Sequence, residues 1–261
     1  MRCSILPRAL GLWLLVATLA GLAWWLPPIP QPAAYHQFAD QSTCFGIPHC
    51  YDTASNLPFV LAGLAGLFFL HGPGRRIFRD RREAFPYGLF FVSMVLIGFT
   101  SGYYHLAPDN DRLTWDRYAI SLAFMSWFAA ILCERVGVRF GLILLPWLTA
   151  AGLGSVWYWQ WSESAGHGDL RAYGLMQLYP LLLVPLLLRL YPARYSGDRD
   201  ILVILALYLA ALLCDWLDKP IAALAGFVSG HTLKHLFAAL AAFWVLRRLQ
   251  HRRTQPVGGQ T

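Results

Sequence analysis

The chain has 261 residues, of which 57% are hydrophobic and 13% charged. A soluble domain carries about 25% charged residues, so this composition excludes one and points to an integral membrane protein. The formal charge of +7 is gathered at the ends of apolar runs, where it serves as a topology signal and requires no nucleic acid or other acidic partner.

Eight apolar segments follow in chain order, at about 9–26, 55–71, 84–106, 113–133, 140–159, 170–188, 200–217 and 229–249. Each approaches the roughly 20 residues that a membrane-crossing helix needs. The expected fold is therefore all-α, a polytopic membrane helical bundle. Residues 1–30 are expected to form an N-terminal helix or signal anchor, 31–249 the membrane domain, and 250–261 a disordered cytoplasmic tail. The first segment starts with Arg2 and Arg8 and ends at Trp24 and Trp25 without a clear small-residue cleavage site, which favours a retained helix over a cleaved signal peptide. The segment 55–71 carries no charge and several small residues that suit close helix packing. Pro146, Pro180 and Pro185 fall inside spans, where membrane helices tolerate them. Of five cysteines, only Cys44 and Cys50 share a loop. In an oxidising compartment they could pair; as free thiols they would be equally ordinary.

Arginine placement orients the bundle. Sixteen of the 21 basic residues fall on alternate connections: before the first segment, in "HGPGRRIFRDRREAF", at Arg135 and Arg139, at Arg189, Arg194 and Arg199, and after the last span. Both termini are then cytoplasmic if all eight segments cross. On the opposite side the third span ends "GFTSGYYHLAPDND", the fourth begins "RLTWDRYAISLAF", and the eighth begins "SGHTLKHLFAALAAFW". Ser101 and His105 are four apart, as are His231 and His235, and Asp116 sits in the first turn of its span. Residues four apart share a helix face. An orientation drawn from arginines alone thus brings three imidazoles, a carboxylate and a hydroxyl to one membrane depth.

Three histidines suit a catalytic zinc centre, since three protein ligands leave a fourth position for water. Bound zinc lowers the pKa of that water to about 7. Asp116 could then accept its proton, and Ser101 could donate a hydrogen bond to an oxyanion. Other readings stay open. The His231–His235 pair also fits structural packing, haem ligation or a proton relay; Asp116 fits a charge favoured by the helix dipole; Ser101 fits a bond back to its own helix. His36, His71, His167 and His251 read as interfacial residues, and Arg117 and Lys234 as anchors at phosphate depth.

The pattern Ser101-x-x-x-His105, Asp116, His231-x-x-x-His235 resembles the alkaline ceramidase family. That family belongs to a wider group of seven-span membrane hydrolases that includes the progestin and adiponectin receptor-like proteins. The run "YDTASNLPFVLAG", with Asp52, Thr53, Ser55 and Asn56, also resembles the start of that family's first core helix, and the likeness covers about residues 40–245. It implies a seven-helix core preceded by one extra helix, and zinc on His105, His231 and His235. It also implies that Asp116 and Ser101 serve the hydrolysis of a lipid amide, ceramide or a related N-acyl lipid, to a fatty acid and an amine. The acidic calcium-binding cluster of the eukaryotic members has no counterpart in "ADQSTCFGIPHCYDTASN", where His49 stands near the place of a later Glu, so no calcium site is expected. The alternative in another functional class is a receptor-like or regulatory membrane protein whose zinc is structural, closed by Asp116 as a fourth ligand. The expected setting is a bacterial inner membrane with the site toward the periplasm.

Overall fold

The computed structural model describes residues 5–255. Helices account for nearly all regular structure: α1 (Ile5–Trp25), α2 (Cys50–Ala54), α3 (Leu57–His71), α4 (Ala84–Leu106), α5 (Asn110–Arg135), α6 (Val138–Ser164), α7 (Arg171–Leu190), α8 (Asp198–Trp216), α9 (Asp218–Ala225) and α10 (Gly230–His251). The only sheet among the described residues is the two-residue ladder of β1 (Thr43–Cys44) and β2 (Ile47–Pro48). The fold is all-α.

Among the described residues, five helical stretches are long and apolar enough to cross a membrane: Cys50–His71, Arg81–Leu106, Asn110–Arg135, Val138–Ser164 and Arg171–Leu190. A sixth appears if α8 and α9, bent by 79° at their junction, count as one broken span. Such a set is that of a multi-pass membrane protein. α10 falls outside it, because His231, Lys234, His235, Arg247 and Arg248 lower its hydropathy.

α3, α4, α5, α7, α8 and α10 are successive neighbours, and α10 closes the series by packing on both α8 and α3. α6 packs outside, against α5 and α7, and α1 lies against α7. α5 is the most enclosed of the spanning helices. Close packing of α3 on α4 needs glycine: a Cβ at Gly66 would stand 2.2 Å from the Phe91 ring, and one at Gly63 would stand 2.6 Å from the Phe91 carbonyl oxygen.

At the arginine-rich end of the bundle, Glu134 is buried, 2.6 Å from Arg248 Nη2 and paired also with Arg252. The Tyr87 hydroxyl donates to it at 2.6 Å. Of the expected tail, residues 256–261 lie outside the described residues. Its start runs against the α7–α8 connection, where Thr254 bridges to Tyr195 and the Gln255 amide donates to the Arg194 carbonyl.

Candidate metal centre

α10 begins at a tightly tied corner. Ser229 caps it, accepting from the Thr232 amide at 2.8 Å. Ser229 and Thr232 hydroxyls also donate to Asp52 Oδ1, at 2.8 and 2.6 Å, which fixes α2 against the start of α10. The His231 amide donates to Asp218 Oδ1 at 2.9 Å, so α9 is tied there as well. The loop before α2 is closed by a disulfide between Cys44 and Cys50, which resolves the choice between paired and free thiols.

His105 from the last turn of α4 meets His231 and His235 from the first turns of α10. All three are buried, and one ligand atom from each falls within 4.8 Å of the others. Ring centroids stand 4.7–5.1 Å apart. Phe38 lies 4.6 Å from the rings of both His105 and His231 and covers the group.

The hydrogen bonds set the histidine tautomers. His231 Nδ1 lies 2.7 Å from Asp215 Oδ1, and a carboxylate accepts, so Nδ1 carries the proton and Nε2 keeps its lone pair. His235 Nδ1 lies 2.8 Å from Ser55 Oγ and 3.1 Å from the Asp52 carbonyl oxygen, with the same consequence. Both ring nitrogens of His105 are buried without any hydrogen-bond partner. A buried imidazole left wholly unsatisfied is costly, and a bound cation would satisfy it. The donor set therefore fits a metal ion of the kind imidazole holds.

No cysteine or carboxylate joins the three histidines among the described residues. Asp116 and Ser101 instead line, with His235, a cavity of about 270 Å³ enclosed by α3, α4, α5, α7, α8 and α10. Asp116 Oδ1 is buried without a partner. Ser93 and Thr100 bond back to carbonyls of their own helix, but Ser101 makes no such bond among the described residues. Away from this polar end the wall is apolar, with Phe90, Met94, Ile120, Trp127, Leu205 and Val245. A second, more open pocket of about 460 Å³ adjoins this cavity, with Tyr35, Leu212 and Asp215 common to both and with Phe38, Pro220 and His231 on its wall.

Several expectations change. Lys234 is an ion-pair partner of Asp215 at 3.2 Å and lines the cavity, and Arg117 is buried and lines it too; neither is an anchor at phosphate depth. His36 bonds Tyr104 and Asn110 through its two nitrogens, and His49 Nδ1 bonds the Asp40 carbonyl at 2.5 Å, outside the metal group. The sequence reading also missed Asp215, Phe38 and the Ser55 contact. The one available signal for Asp215 was an acid in the last turn of an apolar span. Near His49, burial pushes the Asp40 carboxyl up, but hydrogen bonds from Ser42, Asp52 and Tyr51 outweigh it and hold the group below the usual carboxylate range.

No known family model matches the chain, and no curated protein matches it.

Proposed function

We propose that the protein is a zinc-dependent membrane hydrolase of lipid amides, of the alkaline ceramidase type. In this reading the core has seven helices, α3 to α8 with α10, α2 prefacing α3, and α1 is an addition. One observation carries it: three buried histidines converge without a fourth protein ligand among the described residues, beside a cavity whose polar end holds Ser101 and Asp116 and whose remainder is apolar. A structural zinc site would be closed by four protein ligands, so the receptor-like reading lacks its fourth.

Zinc on His105, His231 and His235 would supply a Lewis acid and hydroxide near neutral pH. Asp116, buried with a free oxygen, accepts the proton of the attacking water and returns it to the leaving amine. The Ser101 hydroxyl, free of its own helix, donates to the amide oxygen as charge develops. Along α4 the cavity runs from Ser101 to Phe90, about 16 Å at the helical rise per residue. That depth suits the acyl chain, which stays in apolar surroundings while its amide reaches the histidines.

The Cys44–Cys50 disulfide, at the site's end of the bundle, supports an oxidising compartment on that side, and with the arginine pattern supports a periplasmic site and cytoplasmic termini. The Asp40 oxygens are already engaged by Ser42 and Asp52, in keeping with a chain that uses no calcium there. The test is turnover of a broad panel of lipid amides, ceramides, N-acylethanolamines and N-acylglycines among them, by detergent-purified protein. Asp116→Ala should lose about 10²–10⁴ in rate, and Ser101→Ala about 10²–10³. Tight zinc binding with no hydrolysis across the panel would contradict the reading.

A further inference from the structure

The amine half of the substrate is undefined by the cavity's apolar wall, but its polar end holds a buried cation with no carboxylate within ion-pair distance. Arg117 follows Asp116 on α5 and is only 5% exposed. Its Nη2 donates to Gln31 Oε1 at 2.5 Å. Its Nη1 is buried with no hydrogen-bond partner at all. The guanidinium is held by aromatic faces, 3.9 Å from the ring centre of Trp159, 4.9 Å from Tyr173 and 5.7 Å from Tyr35.

Arg135, Arg248 and Arg252 each pair with a carboxylate, Asp198 or Glu134. Arg117 alone among the described buried arginines has none. A buried charge without an ion partner is expensive, and in a membrane helix it marks a functional position. The aromatic box fixes the guanidinium plane through cation–π contact while leaving Nη1 free. Lys234, on α10, lines the same cavity and is held by Asp215.

We propose that Arg117, with Lys234 lining the same cavity, binds an anionic group on the amine half of the lipid. The favoured substrates are then N-acyl lipids whose amine carries a carboxylate or a phosphate, and neutral sphingoid amides are poor ones. Arginine suits either group, because its fork matches both in two-point hydrogen bonding. The reaction assigned to these substrates rests on the hydrolase reading; the anion subsite rests on Arg117 itself.

Binding and turnover are measured separately on the metal-loaded protein. Titration calorimetry in detergent compares N-palmitoylglycine, N-palmitoyl-phosphoethanolamine and neutral N-palmitoylethanolamine. Wild type should bind at least one acid about tenfold more tightly than the neutral amide, as one added charge-assisted hydrogen bond implies, and the tighter acid names the group. Arg117→Gln should collapse that ratio, and Arg117→Lys should restore part of it. Equal binding of acid and neutral lipid by wild type overturns the proposal without recourse to any variant. A ratio that survives Arg117→Gln also overturns it, since the metal would then be the anion's partner. Acid-selective binding without hydrolysis of any of the three leaves the subsite standing and counts only against the hydrolase reading.

Discussion

His231 Nδ1 lies 2.7 Å from Asp215 Oδ1, across the contact between α10 and α8. This bond gives the imidazole its tautomer and its aim, because a carboxylate on Nδ1 leaves Nε2 as the ligand atom. It also ties the metal centre to the bend between α8 and α9, which begins one residue later in the chain, at Trp216–Asp218. Asp215→Asn should weaken metal affinity about 10–100-fold while leaving the fold intact. Competition with a chromophoric chelator measures it; unchanged affinity would show that the pair orients nothing.

Gly230 sets the position of His231 by packing. A Cβ there would stand 2.2 Å from the Cys214 carbonyl oxygen and 2.6 Å from Asp218 Cα, and backbone atoms cannot turn aside as a side chain can. Gly230→Ala should push the start of α10 off α8, costing about 1–3 kcal/mol and lowering metal content although no ligand is touched. A thermal scan beside elemental analysis reads both quantities. Wild-type values in both would refute the close approach.

At the opposite end, Glu134 holds Arg248 and Arg252. Removing it strands two buried guanidinium groups, so Glu134→Ala should cost about 3–5 kcal/mol. Glu134 is about 27 Å along α5 from Asp116 at the helical rise per residue. The folded fraction should therefore keep its metal. Loss of metal in protein that remains folded would mean that the two ends are coupled.

The disulfide closes a short loop directly before the residues that support His235, since Asp52 and Ser55 bond its Nδ1. Cys44→Ser should lower stability by about 2 kcal/mol on the chain-entropy account. Alkylation of unfolded wild type should label two more cysteines after reduction than before. Equal labelling would place the loop in a reducing compartment and reverse the proposed orientation.

Much of the bundle was legible because long apolar runs have few alternatives to helices. The segment expected at 84–106 is α4 (Ala84–Leu106), and the one at 229–249 is α10 (Gly230–His251). The apolar run ends at 217, where Asp218, Lys219 and Pro220 mark the bend after Trp216, but hydropathy gave neither its 79° angle nor the short helix α9 beyond it. The three histidines stood out because polar side chains are rare in spans. Asp215 and Phe38 did not, because their contacts join residues distant in sequence. Arg117 and Lys234 were misplaced for a general reason: a basic residue at a span end usually reaches the headgroups, and here the neighbouring helices enclose both.

The most direct measurement is metal content by elemental analysis of detergent-purified protein, with wild type, His105→Ala and His231→Ala prepared side by side. The account predicts about one zinc per chain in wild type, as a three-histidine centre holds, and its loss in both variants while they remain folded. Folded wild type without zinc, or zinc retained in both variants, would contradict it.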